Sequence, residues 1–329
     1  MSARHEASAG VVVPAVSVVL PVYNSEPYLV EALDSILRQT FDDFELIAVY
    51  DASIDNSRNR LEDAARRDPR VSVVDGPGRG LVDALNLGLA RARGEFIARM
   101  DADDVSQSTR FARQVEYLRA NPQIAVVGSA ITLIDAAGKV LREIEYPLTP
   151  VEVARFLIET GSALAHPAVM ARRDAMLSVG GYRSLFQHAE DYDLWLRLAE
   201  RHSLANLPER LLRYRHHDTK GSLRHAAAQQ LATHVARLCA KARRSGQPDP
   251  LAARSALSLD DLDRFDLAAG QREAIMRDVM AAEAGATARA SLPTRARLAV
   301  VAGLRHILPA AWFERLRNFV RRMPASGRA

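Results

Sequence analysis

The chain has 329 residues, 48% of them hydrophobic and 26% charged, and a formal net charge of +4. This composition is ordinary for a globular protein with one large domain or two smaller ones. Its single cysteine, Cys239, excludes an intramolecular disulfide bond and a cysteine-based zinc site. No apolar run reaches the ~18 residues that a membrane-spanning helix needs. The apolar run at 11–20 contains Pro14, so we expect a strand there rather than a signal peptide.

The first 105 residues alternate between apolar strand patterns and helical patterns. Strands are predicted at 16–24, where the strand runs into a loop, and at 44–50, 71–74 and 96–100. Helices are predicted at 27–39, from the end of the polar loop 51–57 to about Arg67, and at 81–93. The apolar residues of the first helix recur at the spacing of one helix face. Such alternation predicts a parallel sheet flanked by helices.

The next part of the chain has a more varied pattern. We predict a helix at 108–120, a strand at 124–127, a hairpin at 131–146, a short strand at 166–171, a helix at 190–198 and a last strand at 211–217. Thr149 and Glu152 form a capping box with Pro150 at the first helical position, which predicts that another helix begins there. From residue 224 the composition shifts toward alanine, arginine, glutamine and aspartate at helical spacing, interrupted at 245–250.

A basic tail begins at Arg289. It contains nine arginines and one acid, Glu314, so it carries +8 and leaves −4 for the rest of the chain. Its apolar residues recur at helical spacing between Trp312 and Val320, which predicts an amphipathic helix. The charge indicates an anionic partner, and arginines beside aromatic residues favour an anionic membrane surface. A helix packed on the protein core is the alternative, and the tail has no recognisable nucleic-acid-binding motif.

Three carboxylates follow the predicted strand at 96–100. They are Asp101, Asp103 and Asp104, and they come at the carboxyl end of the strand, where open α/β sheets bind ligands. Carboxylates this close repel one another, and hard divalent cations such as Mg²⁺ or Mn²⁺ prefer oxygen ligands. The pattern therefore predicts a metal site, with a solvated acidic turn before a helix as the alternative.

Nine short motifs follow one another between residues 16 and 223. They are Pro21-Val-Tyr-Asn24 with Tyr28, Asp51-Ala-Ser-Ile-Asp55, Leu85-Asn86 with Gly88, Ala98-Arg-Met-Asp-Ala-Asp-Asp104, Arg110 with Gln114, His166-Pro167, Gly180-Gly-Tyr182, Glu190-Asp-Tyr-Asp-Leu-Trp-Leu-Arg197 and Tyr214-Arg-His-His217. In this order they resemble the motifs of family 2 glycosyltransferases. The resemblance implies an α/β protein with the GT-A fold, a Rossmann-like, mostly parallel sheet flanked by helices. We expect this domain at 1–223 and a helical extension with the basic tail at 224–329.

The resemblance also implies which residues bind a nucleotide-sugar donor. The candidates are Pro21, Tyr23, Asn24, Asp51, Asn86 and Asp101. Asp51 would accept hydrogen bonds from the base, most consistently uracil, and Asp101 would approach the ribose. Tyr50 stands where the family often has a second aspartate, so it either stacks on the base or fills the strand end. Asn86 matches the family, but the sequence gives no physical reason for its role.

The implied metal and catalytic residues lie further along the chain. Asp103 would hold Mn²⁺ or Mg²⁺ between the two phosphates, and His217 would complete that site, although the adjacent His216 is an alternative. Asp191 would be the general base that takes the proton of the acceptor hydroxyl, with Glu190 as the next candidate. The alternative for this acidic pair is a favourable interaction with the helix dipole, and Arg99 is a candidate to balance the acidic cluster.

The resemblance therefore implies an inverting glycosyltransferase that moves a sugar to a hydroxyl group of a glycan or glycolipid, in bacterial surface-polysaccharide synthesis. A UDP-sugar is the expected donor. We expect a cytoplasmic enzyme, peripheral on the inner face of the membrane through its tail, with no nucleic-acid partner. A sugar-nucleotide nucleotidyltransferase is an alternative, but it would carry a glycine-rich basic loop where Pro21-Val-Tyr-Asn24 stands. A non-catalytic nucleotide-sugar-binding protein of the same fold is a second alternative, which the intact Asp101, Asp103 and Asp191 disfavour.

Overall fold

The computed structural model describes residues 13–217 and 225–289, and within them nine strands form one sheet. The strands are β1 (Val16–Val22), β2 (Phe44–Tyr50), β3 (Val71–Asp75), β4 (Phe96–Arg99), β5 (Val105–Ser106), β6 (Ile124–Ile134), β7 (Val140–Ile144), β8 (Met170–Arg172) and β9 (Ser203–Arg215). The helices are α1 (Glu26–Leu37), α2 (Ser57–Arg67), α3 (Leu81–Arg91), α4 (Arg110–Ala120), α5 (Pro150–Glu159), α6 (Arg173–Ser178), α7 (Glu190–Ala199), α8 (Ala226–Arg244) and α9 (Gln271–Arg289).

The sheet has the strand order β3-β2-β1-β4-β8-β6-β9-β5, with β7 paired to β6. The first four strands are parallel, as the alternating pattern predicts. Strand β8 pairs antiparallel with both β4 and β6, whereas β6 and β9 are parallel. Because β1, β2 and β4 run in the same direction, their carboxyl ends and the loops that follow lie at one edge of the sheet.

The sheet separates two hydrophobic cores because successive strand side chains point to opposite faces. In β1, Val18 and Leu20 pack on the face that α1 and α4 cover. Val19 packs on the other face, with α3, α7 and α8. Helix α3 lies so close that a Cβ atom on Gly88 would be 2.4 Å from Val19 Cγ1. Glycine is therefore the residue that lets this helix rest on the strand.

The described part of the helical extension belongs to the second of these cores. Val235 and Cys239 of α8 and Met276 of α9 are buried in the same cluster as Trp195 of α7. Arg243 of α8 also pairs with Glu200 at the end of α7, at 2.8 Å. The sequence-based division at residue 223 stays a prediction, but the two parts share buried side chains.

Several elements differ from the prediction. The strand predicted at 124–127 continues to Ile134 and forms one arm of the predicted hairpin, and β9 begins at Ser203 rather than at 211. Within the predicted strand at 166–171, residues 166–168 form a 3₁₀ turn instead. Pro167 has no N–H group to donate to a neighbouring strand, which explains the interruption.

The capping box at Thr149 is confirmed, with both of its reciprocal hydrogen bonds present. In the described residues, no helix is both long and apolar enough to cross a membrane. The amphipathic helix predicted near Trp312 lies outside the residues that the structure describes.

Candidate active site

The predicted acidic cluster forms directly after β4. Side-chain oxygen atoms of Asp101, Asp103 and Asp104 all lie within 4.8 Å of one another. Asp104 is fully buried, whereas Asp101 and Asp103 are partly exposed and accessible to a ligand. A set of three carboxylates with this spacing fits a hard divalent cation such as Mn²⁺ or Mg²⁺, because such ions take oxygen ligands.

Arg99 neutralises part of this negative charge. It is the last residue of β4, it is buried, and its Nη2 atom lies 2.5 Å from Asp101 Oδ1. The expected balancing role of Arg99 is thus confirmed. A charge-assisted hydrogen bond of this kind fixes the orientation of the Asp101 carboxylate as well as offsetting its charge.

The end of β9 closes the other side of the cluster. His217 Nε2 lies 2.8 Å from Asp103 Oδ2, and the ring of His217 lies beside that of Tyr28, with centroids 5.1 Å apart. His216 is exposed, and its backbone N–H donates to Ile134 O at 2.8 Å. Of the two histidines, His217 therefore faces the acidic cluster and His216 does not.

Arg215 is a residue that the sequence reasoning did not single out. It is almost fully buried, its backbone N–H donates to Asp104 Oδ1 at 2.7 Å, and its Nε donates to Asp103 O at 2.8 Å. Its Nη2 donates to Glu31 Oε2 at 2.6 Å, which adds helix α1 to the network. Arg215 thus holds the acidic loop in place. In the sequence, its position within the Tyr214-Arg-His-His217 motif was the feature that could have identified Arg215 as part of the site.

The loops after β1 and β2 are joined to each other. The Asn24 backbone N–H donates to Ser53 Oγ at 2.9 Å, and Asn24 Oδ1 accepts from the Ile54 N–H at 2.9 Å. Tyr23 beside it is 65% exposed, whereas Pro21 is a partly buried residue of β1 opposite Val49. Two of the predicted donor-binding residues therefore lie at the open edge of the sheet, and Pro21 lies just inside it.

Asp51 lies at the same edge and organises the next loop. Its two carboxylate oxygens accept from the backbone N–H groups of Gly78 and Gly80, at 2.7 and 3.0 Å. The loop needs glycine here because both residues have positive φ angles, +68° and +100°. Asp51 is buried. Through these two hydrogen bonds it holds the loop after β3 against the end of β2.

Tyr50 precedes Asp51 and has its own partners. Its hydroxyl donates to Ser53 O at 2.7 Å, and the Arg58 guanidinium lies over its ring, 5.0 Å from the centroid. One ring face is thus covered by a cation. This geometry favours the alternative in which Tyr50 fills the strand end.

Asn86 lies apart from the acidic cluster, on α3. Its Nδ2 donates to Tyr182 O at 2.9 Å, and its Oδ1 accepts from the Tyr182 N–H at 3.0 Å. The carboxamide therefore pairs with both the backbone N–H and the backbone C=O of Tyr182, in the turn at 180–183. Gly181 in that turn has a φ of +67°, and a Cβ atom there would be 2.7 Å from Asn86 Oδ1. The contacts indicate that Asn86 positions the turn ahead of α7, and its donor-binding role stays a prediction.

The acidic pair Glu190–Asp191 opens α7. Glu190 is 5% exposed, and among the described residues its Oε2 atom has no hydrogen-bond partner. Asp191 Oδ1 accepts from the Tyr192 N–H at 2.7 Å. Burial and the charge of Asp191 raise the pKa of Glu190 to about 7, and burial raises the pKa of Asp191. Such a pair binds a proton near neutral pH, as a proton-transfer site requires.

One buried cation acts on both groups of carboxylates. Arg99 pairs with Asp101, and its positive charge also offsets part of the burial-driven rise in the pKa values of Glu190 and Asp191. The negative charge of Asp101 acts on the same pair in the opposite direction. The two carboxylate groups, from distant parts of the sequence, therefore lie within electrostatic reach of each other.

Neighbouring motif residues support this arrangement. His166 Nε2 lies 2.9 Å from Tyr182 Oη, and burial lowers the pKa of His166 well below its usual value, so the imidazole is neutral. Asp193 is fully buried and pairs with Arg197 at 2.9 Å, which agrees with a structural role. Trp195 is completely buried, as expected for a core residue.

Comparisons with known proteins agree with this geometry. The family described as Glycosyl transferase family 2 matches residues 17–177. The O-antigen biosynthesis glycosyltransferase WbnJ of Escherichia coli is 35% identical over 207 residues, which cover 62% of this chain and 80% of WbnJ. The amylovoran biosynthesis glycosyltransferase AmsE of Erwinia amylovora is 34% identical over 203 residues, which cover 60% of this chain and 75% of AmsE.

Two solved structures have a similar fold. The mannosyltransferase PcManGT from Pyrobaculum calidifontis, in complex with GDP-Man and Mn²⁺, has a TM-score of 0.55 at 23% identity and covers 94% of this chain and 85% of its own. S. aureus TarS 1–349 in complex with UDP-GlcNAc has a TM-score of 0.54 at 17% identity and covers 93% of this chain and 91% of its own. The similarity in sequence and fold shows that this chain belongs to glycosyltransferase family 2 and has the GT-A fold.

Proposed function

We propose that the protein transfers a sugar to a hydroxyl group of a glycan or glycolipid, with inversion at the anomeric carbon. The donor is a nucleotide-diphosphate sugar, and a UDP-sugar is the first choice. The observation that carries the proposal is the cluster of three carboxylates after β4, whose Asp101 pairs with the buried Arg99. The electrostatic effect of Arg99 and Asp101 on the Glu190–Asp191 pair at the start of α7 supports it. The family relationship makes the nucleotidyltransferase alternative unnecessary.

The donor nucleotide would lie along the loops after β1, β2 and β4. Tyr23 and Asn24 line this edge, and Asp51 would meet the base. Each oxygen of Asp51 already accepts one backbone hydrogen bond, but a carboxylate oxygen can accept a second. Uracil is the expected base, and TarS with UDP-GlcNAc supports that choice by analogy, whereas PcManGT with GDP-Man supports guanine.

Asp103 and His217, with Asp101 beside them, would hold the divalent cation. Three carboxylates within 4.8 Å fit Mn²⁺ or Mg²⁺, and PcManGT carries Mn²⁺ with its donor. When bound, the cation supplies Lewis-acid stabilisation of the negative charge on the departing diphosphate. Arg99 would keep the Asp101 carboxylate oriented while the donor enters.

The acceptor hydroxyl would give its proton to Asp191. Its oxygen forms the new bond to the anomeric carbon, and the bond from that carbon to the diphosphate oxygen breaks with its electron pair leaving on the diphosphate. Inversion follows because the acceptor attacks from the face opposite the leaving group, which requires a single base on that face. Glu190 would keep its own proton near neutral pH, and this leaves Asp191 as the ionised partner.

The first experiment screens nucleotide sugars for Mn²⁺-dependent hydrolysis by the full-length protein. At least one UDP-sugar should be hydrolysed. Activity should disappear in the Asp103→Asn variant, because that change removes a carboxylate of the proposed metal site, the one that meets His217. Asp63→Asn on α2, an exposed substitution of the same kind, is the matched control and should remain active. Full activity of wild type in excess chelator would contradict the metal assignment, and hydrolysis of GDP-sugars alone would contradict the assigned base.

The setting of the reaction is also a proposal. WbnJ and AmsE act in O-antigen and amylovoran biosynthesis, and their similarity supports surface-polysaccharide assembly for this chain. In that setting the enzyme would work in the cytoplasm on a membrane-associated acceptor. The positive charge of the basic tail supports a contact with the anionic inner leaflet.

A further inference from the structure

Among the residues that the structure describes, Arg99 differs from the other buried arginines in its hydrogen bonds. The others are Arg110, Arg197 and Arg215, and each has a protein partner for all three of its side-chain nitrogen atoms. Arg99 has a partner only at Nη2, which lies 2.5 Å from Asp101 Oδ1. Its Nε and Nη1 atoms are buried and have no hydrogen-bond partner in the described part of the chain.

Unpaired buried N–H groups of this kind indicate a functional role. A buried donor without a partner is costly in free energy, and more so when it belongs to a charged group. Buried polar groups in folded proteins are therefore almost always paired. Glu190 Oε2, at the start of α7, is a second buried atom without a partner among the described residues. Arg99 and Glu190 thus offer a buried donor and a buried acceptor to a polar ligand.

The Arg99 side chain lies on the face of the sheet on which α7 packs. In the parallel pairing of β4 with β1, Arg99 is the partner of Val19, and Ile97 has the same orientation because strand side chains alternate. Val19 and Ile97 belong to the core that contains Trp195 of α7. The guanidinium of Arg99 is therefore beside Asp101, on the α7 face of the sheet.

The proposed reaction places the donor sugar on this same face. The anomeric carbon of the sugar is bonded to the diphosphate, which a cation at Asp103 would hold. The acceptor hydroxyl attacks that carbon from the opposite side and gives its proton to Asp191, at the start of α7. The sugar must therefore extend from the acidic cluster toward α7. Arg99 contacts the cluster through Asp101 and lies on the face that carries α7.

The charges around Arg99 favour a neutral ligand group. Its positive charge is already offset by Asp101, and Asp103 and Asp104 belong to the same cluster. A carboxylate or a phosphate at Nε or Nη1 would meet the repulsion of these three acids. A hydroxyl group carries no charge, accepts from an N–H group and can donate its own proton to a carboxyl group. The free donors of Arg99 therefore suit a sugar hydroxyl.

We propose that Arg99 determines which donor sugar the enzyme accepts, by donating a hydrogen bond from Nε or Nη1 to a ring hydroxyl of a neutral hexose. The side chain of Asp101 is 23% exposed, so the guanidinium lies one side chain below the surface of the site. A small movement of Asp101 on donor binding would admit the hydroxyl. This inference rests on the proposed transfer from a nucleotide-diphosphate sugar, and it adds a residue that selects the sugar.

The test uses the full-length protein, the donor found in the hydrolysis screen, and analogues of that donor that each lack one ring hydroxyl. For one analogue, wild-type kcat/KM for hydrolysis should fall at least about tenfold, because the site is left with an unpaired charged donor. Arg99→Lys keeps the positive charge beside Asp101 but lacks the Nε and Nη1 donors. It should lower kcat/KM for the natural donor by a similar factor, and the penalty for that analogue should disappear. Such non-additivity is the signature of a direct contact.

Two further measurements separate this role from others. The affinity of Arg99→Lys for UDP alone, measured by calorimetry, should match that of wild type because UDP carries no sugar. Arg172→Lys is the matched control, since Arg172 of β8 donates from Nε to Ile124 O at 3.0 Å and from Nη2 to Leu118 O at 2.6 Å. Any change in the Tm of this control should leave the penalties for the analogues unchanged.

Three results would overturn the inference. The first is wild-type kcat/KM within about threefold of the natural donor for every analogue, far less than a paired hydroxyl contributes. The second is an equal penalty for each analogue in wild type and Arg99→Lys. The third is a parallel loss of UDP affinity in Arg99→Lys, which would assign Arg99 to the nucleotide or the diphosphate. If Arg99→Lys does not fold, the wild-type series can still reject the inference. Absence of donor hydrolysis by wild type would instead reject the proposed function, so the two failures are distinguishable.

Discussion

At the scale of single residues, the site depends on how buried charges are balanced. Arg99 is 4% exposed, and its pKa is raised by the charge of Asp101 despite the cost of burial. The same guanidinium opposes the rise that burial causes in the pKa values of Glu190 and Asp191. A buried ion pair is weak support for stability, because the cost of desolvation offsets the attraction. Arg99 is better explained by the charges that it acts on, through its ion pair with Asp101 and its electrostatic effect on Glu190 and Asp191.

The role of Asp191 can be tested by removing its charge. Asp191→Asn keeps the size of the side chain and an oxygen that can accept from the Tyr192 N–H, but it cannot take a proton. Donor binding should therefore stay near wild type while kcat falls by about 10²–10⁴-fold, the usual contribution of a general base. The measurement combines steady-state kinetics with calorimetric binding of the donor.

A matched control separates catalysis from helix stability. Asp174 lies in the first turn of α6, and its Oδ1 accepts from the Ala175 N–H at 2.7 Å, the same local contact that Asp191 makes. Asp174→Asn should cost only the ~0.3–1 kcal/mol of a first-turn acid and leave turnover unchanged. If Asp191→Asn stays within about threefold of wild-type turnover, far less than a general base contributes, the base lies elsewhere and Glu190 is the next residue to replace.

Glu190 should set the acidic limit of activity. Its pKa of about 7 reflects burial and repulsion by Asp191, so the pair holds a proton at mildly acidic pH. In Glu190→Gln the repulsion is absent, and Asp191 should stay ionised to lower pH. The acidic limb of the kcat/KM profile for donor hydrolysis should therefore move to lower pH. If the acidic limb of the profile does not shift, the pKa that it reflects belongs to a group other than the Glu190–Asp191 pair.

The same substitution has a predicted effect on stability. The folded-state pKa of Glu190 is raised above its usual value of 4.5, so its contribution to stability is fully present below that pH and is lost as pH rises through about 7. Glutamine never ionises and does not lose this contribution. Glu190→Gln should therefore raise Tm above pH 7 relative to wild type, with a smaller difference at pH 4.5, as thermal unfolding across pH will reveal.

At the scale of secondary structure elements, helix α4 supports the strand end that carries the site. Arg110 is fully buried, and its Nη2 donates to Arg99 O at 2.8 Å and to Val169 O at 2.9 Å. Gln114, one turn later, donates to Ala168 O at 2.7 Å. These side chains satisfy backbone carbonyls that would otherwise be buried without partners. Two motif residues with no evident role in the sequence therefore hold the end of β4 against the residues just before β8.

The close contact between α3 and β1 predicts a strong effect at Gly88. A methyl group there would meet Val19 Cγ1 at 2.4 Å, so either the helix or the strand must move. Overpacking of this kind costs about 1–3 kcal/mol, and Gly88→Ala should lower the free energy of unfolding by that amount in a denaturant titration. Gly161→Ala is the control, because its nearest neighbour would be 3.9 Å away. Equal stability of the two variants would contradict the packing argument.

At the scale of the whole molecule, the helices after residue 224 that the structure describes pack on the same core as α7. Arg183 in the turn before α7 pairs with Asp249 at 2.7 Å, and Arg243 of α8 pairs with the same carboxylate at 2.7 Å. Helix α8 also buries Val235 and Cys239 against the core that contains α7. The extension therefore contributes to the position of the helix that carries Asp191, and not only to the end of the chain.

The basic tail is predicted to act separately from this core. Its +8 charge should attract anionic lipids, since each basic side chain near such a surface adds about 1 kcal/mol. Truncation before Arg289 should therefore release the protein from anionic vesicles in a flotation assay, with little change in Tm. Vesicles of neutral lipid are the control. Equal binding of full-length and truncated protein to anionic vesicles would favour the alternative, in which the tail packs on the core.

The sequence by itself determined the elements in which local pattern and packing agree. Strand β2 was predicted to the residue, because its short run, apolar apart from Glu45, is typical of a strand buried on both faces and ends at the polar loop that begins with Asp51. The capping box at Thr149 and the acidic motif after β4 were also readable, since their chemistry depends on residues three or fewer positions apart. Family motifs added the expected fold, which the structural comparisons confirm.

Only the tertiary structure decided which distant residues meet. His217 rather than His216 faces Asp103, because the chain just beyond β9 directs the His217 ring to the acidic cluster and leaves His216 exposed, with its backbone N–H on Ile134 O. The partners of Arg215 and Asn86, 112 and 96 residues away along the chain, depend on the path of the whole sheet. Local sequence carries no record of such separations. The charge balance among Arg99, Asp101 and the Glu190–Asp191 pair exists only after folding brings these distant residues within electrostatic reach of one another.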